Sequence, residues 1–168
     1  MQTVRIWFAV LALIAAPWSA GDEHGADMLR QALDQPARPE ADKVRDAGRR
    51  PAEVVTFLGF EEGMRVMDMI AAGGWYTEVL SLAVGADGTV YAQNPPAVLA
   101  FRDGANDKAL TERLADDRLP NVIRIDADFA DLDLEPGSLD GALTALNFHD
   151  VYHRSPDAAV AMLEKMKT

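Results

Sequence analysis

A chain of 168 residues, 49% hydrophobic and 26% charged, has room for one globular domain with a real core and excludes two. Its 16 Lys plus Arg against 27 Asp plus Glu give a net charge of −11, and no Lys/Arg stripe with interleaved aromatics occurs. A nucleic acid is therefore disfavoured as the main partner, and a small molecule is expected. The absence of cysteine excludes disulfides, zinc thiolate sites and thiol catalysis.

The first residues read as an export signal. Arg5 precedes the uncharged run "IWFAVLALIAA", which is too short for a confident membrane span, and cleavage after Gly21 leaves Ser19 and Gly21 at the two small-residue positions. Residues 1–21 are thus expected to be a signal peptide and the mature chain to be periplasmic or secreted, with no stable membrane span after processing.

Residues 22–62 read as a helical lead-in. It holds a short, loosely packed helix in "ADMLRQALDQ", a second in "PEADKVRDAG" with Pro39 in its first turn, and a third in "RPAEVVTFLGF" that stops at Gly59. From residue 63 the pattern alternates between short apolar strands and helices, the signature of a mainly parallel sheet covered by helices. The strands fall in "MRVMDMI", "GTVYAQN", "NVIRIDADF" and "LDGALTALN". After the fourth, "FHDVYHRSPDAAVAMLEKMKT" reads as an amphipathic helix, so residues 63–168 resemble a domain that is C-terminally shortened, whose fourth strand leaves an outer edge to be covered.

Chemistry concentrates at the carboxyl ends of these strands. In "RVMDMIAAGGWYTEVLS" a buried strand passes through a small-residue elbow into a helix, where Gly73 and Gly74 let backbone approach a ligand and the helix N-terminus favours negative charge. The dinucleotide fingerprint GxGxxG is not met, which disfavours a nucleotide-dependent oxidoreductase. Asp68, near the strand end, either pins the turn or binds an ammonium group. Trp75 is expected in the core and Tyr76 at the site. In "LNFHDVYH", Asn147 is placed to touch a ligand and His149 or Asp150 to serve as a general base. His149 and His153 stand four apart, but two histidines without a third ligand predict no metal.

Residues 39–168, through "VMDMIAAGGWYTEVL", "VYAQNPP", "FRDGANDKALTERLA" and "LNFHDVYHR", resemble the exported, predicted class I methyltransferases that use S-adenosylmethionine. The resemblance implies a Rossmann-like α/β fold with helices on both faces of the sheet. It implies that S-adenosylmethionine is the cofactor and that a small molecule of unspecified identity is the methyl acceptor. Asp68 then lies near the cofactor's amino-acid end, Ala72, Gly73 and Gly74 form the close-approach loop, and Tyr76 and Thr77 begin the helix beside it. The family pattern has Gly at the positions of Ile70 and Ala72, and Ile70 suits strand continuation better than a turn with positive φ. Gln93 and Asn94 occupy the end of the second strand, where such enzymes place an acid for the ribose hydroxyls; they are either its uncharged substitute or a polar stop before Pro95. Asp128 and Phe129 fall where a carboxylate meets the adenine amino group and an apolar face meets its ring. The alternative reading is a non-catalytic, exported small-ligand-binding domain that kept this fold.

Overall fold

The computed structural model describes residues 20–167, so the expected export segment, apart from its last two residues, lies outside the described residues. Among the described residues no helix is long and apolar enough to cross a membrane.

Three helices lead in: α1 (Ala20–Leu33), α2 (Glu40–Arg49) and α3 (Pro51–Phe57). Pro39 precedes α2, whose first turn carries Glu40 and Asp42, the charge that a helix N-terminus favours. Arg50, in the left-handed conformation at φ 48°, ends α2, and Pro51 supplies the preset φ that starts α3. Then follow β1 (Arg65–Met69), α4 (Trp75–Val84), β2 (Thr89–Gln93), α5 (Pro96–Leu99), α6 (Phe101–Leu114), β3 (Val122–Ile125), β4 (Gly141–Leu143), α7 (Phe148–Arg154) and α8 (Pro156–Lys167). The fourth strand is only three residues long, shorter than its apolar run suggests, because residues 144–147 leave the ladder to reach α7.

The four strands form one parallel sheet in the order β3-β2-β1-β4. Asp68 of β1 lies opposite Ala92 of β2 on one side and Leu143 of β4 on the other. The chain builds outward from β1 through β2 to β3 and then returns to β1's other side. The carboxyl ends of β1 and β4 therefore flank a topological switch point, the place where open α/β sheets hold ligands.

Alternation along β1 divides the core. Val66 and Val90 face α4, packing with Trp75, Val79, Leu80 and Val84, while Met67 and Met69 face the other way, toward Leu132 and Met162 of α8. Leu29 and Leu33 of α1 and Val55 of α3 belong to the first of these clusters. The lead-in is therefore part of the sheet's own core, and the expectation of a loosely packed first helix is overturned: each leucine so buried contributes about 1.5–3 kcal/mol. Gly141 shows how close this packing is, since a Cβ there would lie 2.4 Å from the ring of Phe60.

A buried ionic cluster fastens the lead-in to the rest. Glu78 of α4 is 1% exposed and is held by Arg113 and by Arg118, whose Nη1 donates to its Oε1 at 2.6 Å and Nη2 to its Oε2 at 2.9 Å. Arg113 also donates to Asp42 of α2 at 2.7 Å and, through Nε, to the Gly73 carbonyl at 3.0 Å. Arg38 approaches Glu78 at 3.7 Å and pairs with Asp46. Burial alone would raise the Glu78 carboxyl, but the hydrogen bond from Arg118 and the charges of Arg113 and Arg118 hold it below its ordinary value. Removing one member leaves opposing charges buried and unpaired. Glu78→Gln is accordingly expected to cost roughly 3–5 kcal/mol in urea unfolding; an unchanged midpoint would show that the arginines find water instead.

Candidate functional site: a braced elbow at the switch point

Between β1 and α4 the backbone turns left-handed at every second residue: Ile70 at φ 61°, Ala72 at φ 50° and Gly74 at φ 81°. Ile70 thus does not continue the strand as its side chain suggests. A side chain with a Cβ costs roughly 1–2 kcal/mol in this conformation, so something else holds the turn.

Three amide side chains do so. The Ile70 N–H donates to Gln93 Oε1 at 3.1 Å, and the Ile70 carbonyl accepts from Asn147 Nδ2 at 2.9 Å. Asn94 grips Ala72 at both ends, its Oδ1 accepting from the Ala72 N–H at 2.7 Å and its Nδ2 donating to the Ala72 carbonyl at 3.2 Å. Gln93 Nε2 donates to the Ala127 carbonyl at 2.7 Å, which ties the elbow to the loop after β3. Gln93 and Asn94 are both fully buried. Both ends of each amide are engaged by backbone, so these two residues lie beneath the elbow rather than projecting into the crevice. The side of Gly73 and Gly74 that lacks a side chain faces α6: a Cβ would meet Ala109 at 3.0 Å and Leu110 at 2.7 Å, respectively. Their smallness lets α6 seat against the loop.

Asp68 sits under this elbow, 2% exposed. Its Oδ2 accepts from the Thr77 hydroxyl at 2.6 Å, and no basic side chain among the described residues pairs with it. Burial pushes its pKa up to about 6, against the opposing pull of the Thr77 side-chain and backbone hydrogen bonds.

Tyr76, half-buried at the first turn of α4, lines a cleft of about 770 Å³ with Val54, Leu143, Leu146 and the α2 residues Arg45 and Arg49. Burial raises its phenol above the ordinary value; Arg49 and Arg45 oppose that rise, and Asp68 adds to it. Trp75 is in the core, as expected, with the Arg45 guanidinium 4.9 Å from its ring centroid. The two arginines escaped the sequence reading, although their spacing of four on a helix puts them on one face.

Across the sheet, Asp128 is exposed, one residue beyond the Ala127 carbonyl that Gln93 holds, and the half-buried ring of Phe129 packs against the Met67–Met69–Met162 cluster. His149 and Asp150 are exposed on α7, with His149 Nε2 3.3 Å from Asp150 Oδ1, and neither lines the cleft beside Tyr76. The structure thus brings Asp68, Ala72, Gly73, Gly74, Tyr76, Thr77, Gln93, Asn94 and Asn147 to one corner. It leaves Asp128 and Phe129 at the β3 side of the crevice, and His149 and Asp150 outside the Tyr76 cleft.

No protein-family model and no curated protein matches the chain. Among solved structures it is similar to a SAM dependent methyltransferase from Aquifex aeolicus, with a TM-score of 0.59 and 24% identity over 85% of this chain and 66% of that one. The chain therefore spans just under two thirds of that protein. Its fold is the Rossmann-like α/β fold of that neighbour, a parallel sheet flanked by helices.

The buried Asp68 makes stability depend on pH with a definite sign. The folded chain holds this proton more tightly than the unfolded one, so the Asp68 contribution to stability is fully present below the ordinary carboxyl pKa, near 3.8, and is lost as pH rises through about 6. The loss over that window is expected to be about 3 kcal/mol. Asp68→Asn, which cannot ionise, should lack this component when unfolding is followed from pH 4 to 7; parallel profiles for the two proteins would contradict it.

Proposed function

We propose that the chain binds S-adenosylmethionine at the elbow and transfers its methyl group to a small acceptor. The observation that carries this reading is the buried carboxylate of Asp68, without a cationic partner among the described residues, under a backbone that turns left-handed at 70, 72 and 74. Those are the positions of the methyltransferase glycines, and their geometry is kept without two of them. The Aquifex aeolicus neighbour, described as SAM dependent, supports the same reading through its fold.

The donor set fits the cofactor at both ends. Asp68 supplies negative charge toward the ammonium group, and the start of α4, with Tyr76, receives the amino-acid portion. Asp128 offers an exposed carboxylate to the adenine amino group, and Phe129 offers an apolar face. The ribose position has no acid: Gln93 and Asn94, at the end of β2, are occupied in holding the loop.

When bound, the cofactor supplies a methyl carbon on cationic sulfur, which an acceptor lone pair takes as the carbon–sulfur electron pair returns to sulfur. The protein's part is alignment of the three atoms along one line, the source of most of the rate in such a transfer. His149 or Asp150 would act as base only for an acceptor that must lose a proton. Both being exposed on α7, they serve an acceptor that reaches to that helix.

Calorimetric titration of the chain with S-adenosylmethionine, S-adenosylhomocysteine and NAD is expected to show binding of the first two and none of the third. Asp128→Ala should weaken the first two roughly tenfold, the effect of losing one hydrogen bond to a charged group. A folded chain that binds neither sulfur ligand would sink the proposal.

A further inference from the structure

The cleft beside Tyr76 brings two arginines together on one wall, opposite an apolar one. Helix α2 divides its charges by face. Two of its three carboxylates, Asp42 and Asp46, turn to Arg113 and Arg38, while Arg45 and Arg49 line the cleft. Neither of these arginines pairs with a carboxylate among the described residues. Both are held by the face of Trp75 instead, at 4.9 and 6.0 Å from its ring centroid. The other wall is apolar: Val54, Leu143 and Leu146, the last 63% exposed on a left-handed backbone at φ 62°. The volume, about 770 Å³, lies within the range of small-molecule sites.

We propose that this cleft seats the methyl acceptor and that Arg45 and Arg49 select one carrying a carboxylate on an apolar body. The proposal rests on the methyl-transfer reading for the word acceptor; the anion selectivity stands on the cleft itself. In a chain of net charge −11 an anionic ligand is disfavoured over much of the surface, and two guanidinium groups that share one cleft wall, with no carboxylate partner among the described residues, offer it a place. Guanidinium forks match a carboxylate in shape as well as charge, and an arginine stacked on an indole has less freedom to lose when it binds. The body of the acceptor then lies along Leu143 and Leu146. Tyr76 lines the same cleft, and its phenol, raised by burial, offers the acceptor a hydrogen-bond donor. The same two arginines could instead meet the carboxylate of the cofactor's own amino-acid end, and the test separates these sources.

The whole chain is titrated calorimetrically with sodium 4-phenylbutyrate and with its neutral counterpart 4-phenylbutyramide, with and without S-adenosylhomocysteine, and S-adenosylhomocysteine is titrated alone. The carboxylate is expected to bind at least about tenfold more tightly than the amide. An Arg45→Gln, Arg49→Gln double variant should lose that preference while keeping its affinity for S-adenosylhomocysteine, and Arg45→Lys, Arg49→Lys should keep part of the preference. Equal binding of the two probes, or no binding of either at millimolar concentration, overturns the proposal, as does a preference that survives in the Gln variant. A parallel loss of S-adenosylhomocysteine affinity in that variant also overturns it and gives the arginines to the cofactor. If the wild-type chain ignores S-adenosylhomocysteine but keeps an arginine-dependent carboxylate preference, the methyl-transfer reading fails and the anion site stands.

Discussion

Everything at the switch point depends on how Gln93, Asn94 and Asn147 hold the backbone of Ile70 and Ala72. Two residues with a Cβ occupy left-handed conformations, a cost of roughly 1–2 kcal/mol each. Against it stand four hydrogen bonds from three amide side chains. Net contributions near 1 kcal/mol per bond are enough to offset that strain. The bracing groups come from strand ends on both sides of β1: Gln93 and Asn94 from β2, Asn147 from just beyond β4. The parallel order therefore supplies the brace, and the brace lets an elbow with one glycine at its three left-handed positions keep the turn that places Asp68 beneath the first turn of α4.

The division of labour around the elbow follows from the same constraint. Amide groups spent on the loop are not free for a ligand, so the groups left to meet one under the proposed reading are those around them: Asp68 below, Tyr76 and the α2 arginines at one end, Asp128 and Phe129 at the other. The glycines serve α6, whose Leu110 occupies the space a side chain would take. Arg113 then joins the Gly73 carbonyl to Glu78 and Asp42. The lead-in is thereby locked over the elbow, and α2 becomes a wall of the cleft.

Much of this was legible in the sequence where the signal is local. The four strands, the helix after the elbow and the core position of Trp75 follow from apolar periodicity and turn residues. What was not legible depends on partners distant along the chain. Isoleucine gives no hint of a positive φ; only the brace from residues 23 and 77 positions later makes it tenable. The amides at the end of β2 read either as an uncharged substitute for the ribose acid or as a polar stop, because a sequence does not show that their partners are the backbone of Ile70, Ala72 and Ala127. Nothing in the sequence singles out Glu78, since its partners Arg38, Arg113 and Arg118 lie 35 to 40 positions away. Leu29 and Leu33 could not be placed in the core before α1 was known to cross α4.

The brace itself is open to direct observation in solution. Intraresidue amide-to-alpha proton NOE intensities report the sign of φ, because the two protons lie closest in the left-handed conformation. Strong intraresidue signals are expected for both Ile70 and Ala72 in the wild-type chain, with loss of the Ala72 signal alone in Asn94→Ala, whose Ile70 is still held by Gln93 and Asn147. Ordinary negative-φ intensities at either residue in the wild type, or an Ala72 that stays left-handed without Asn94, would contradict it.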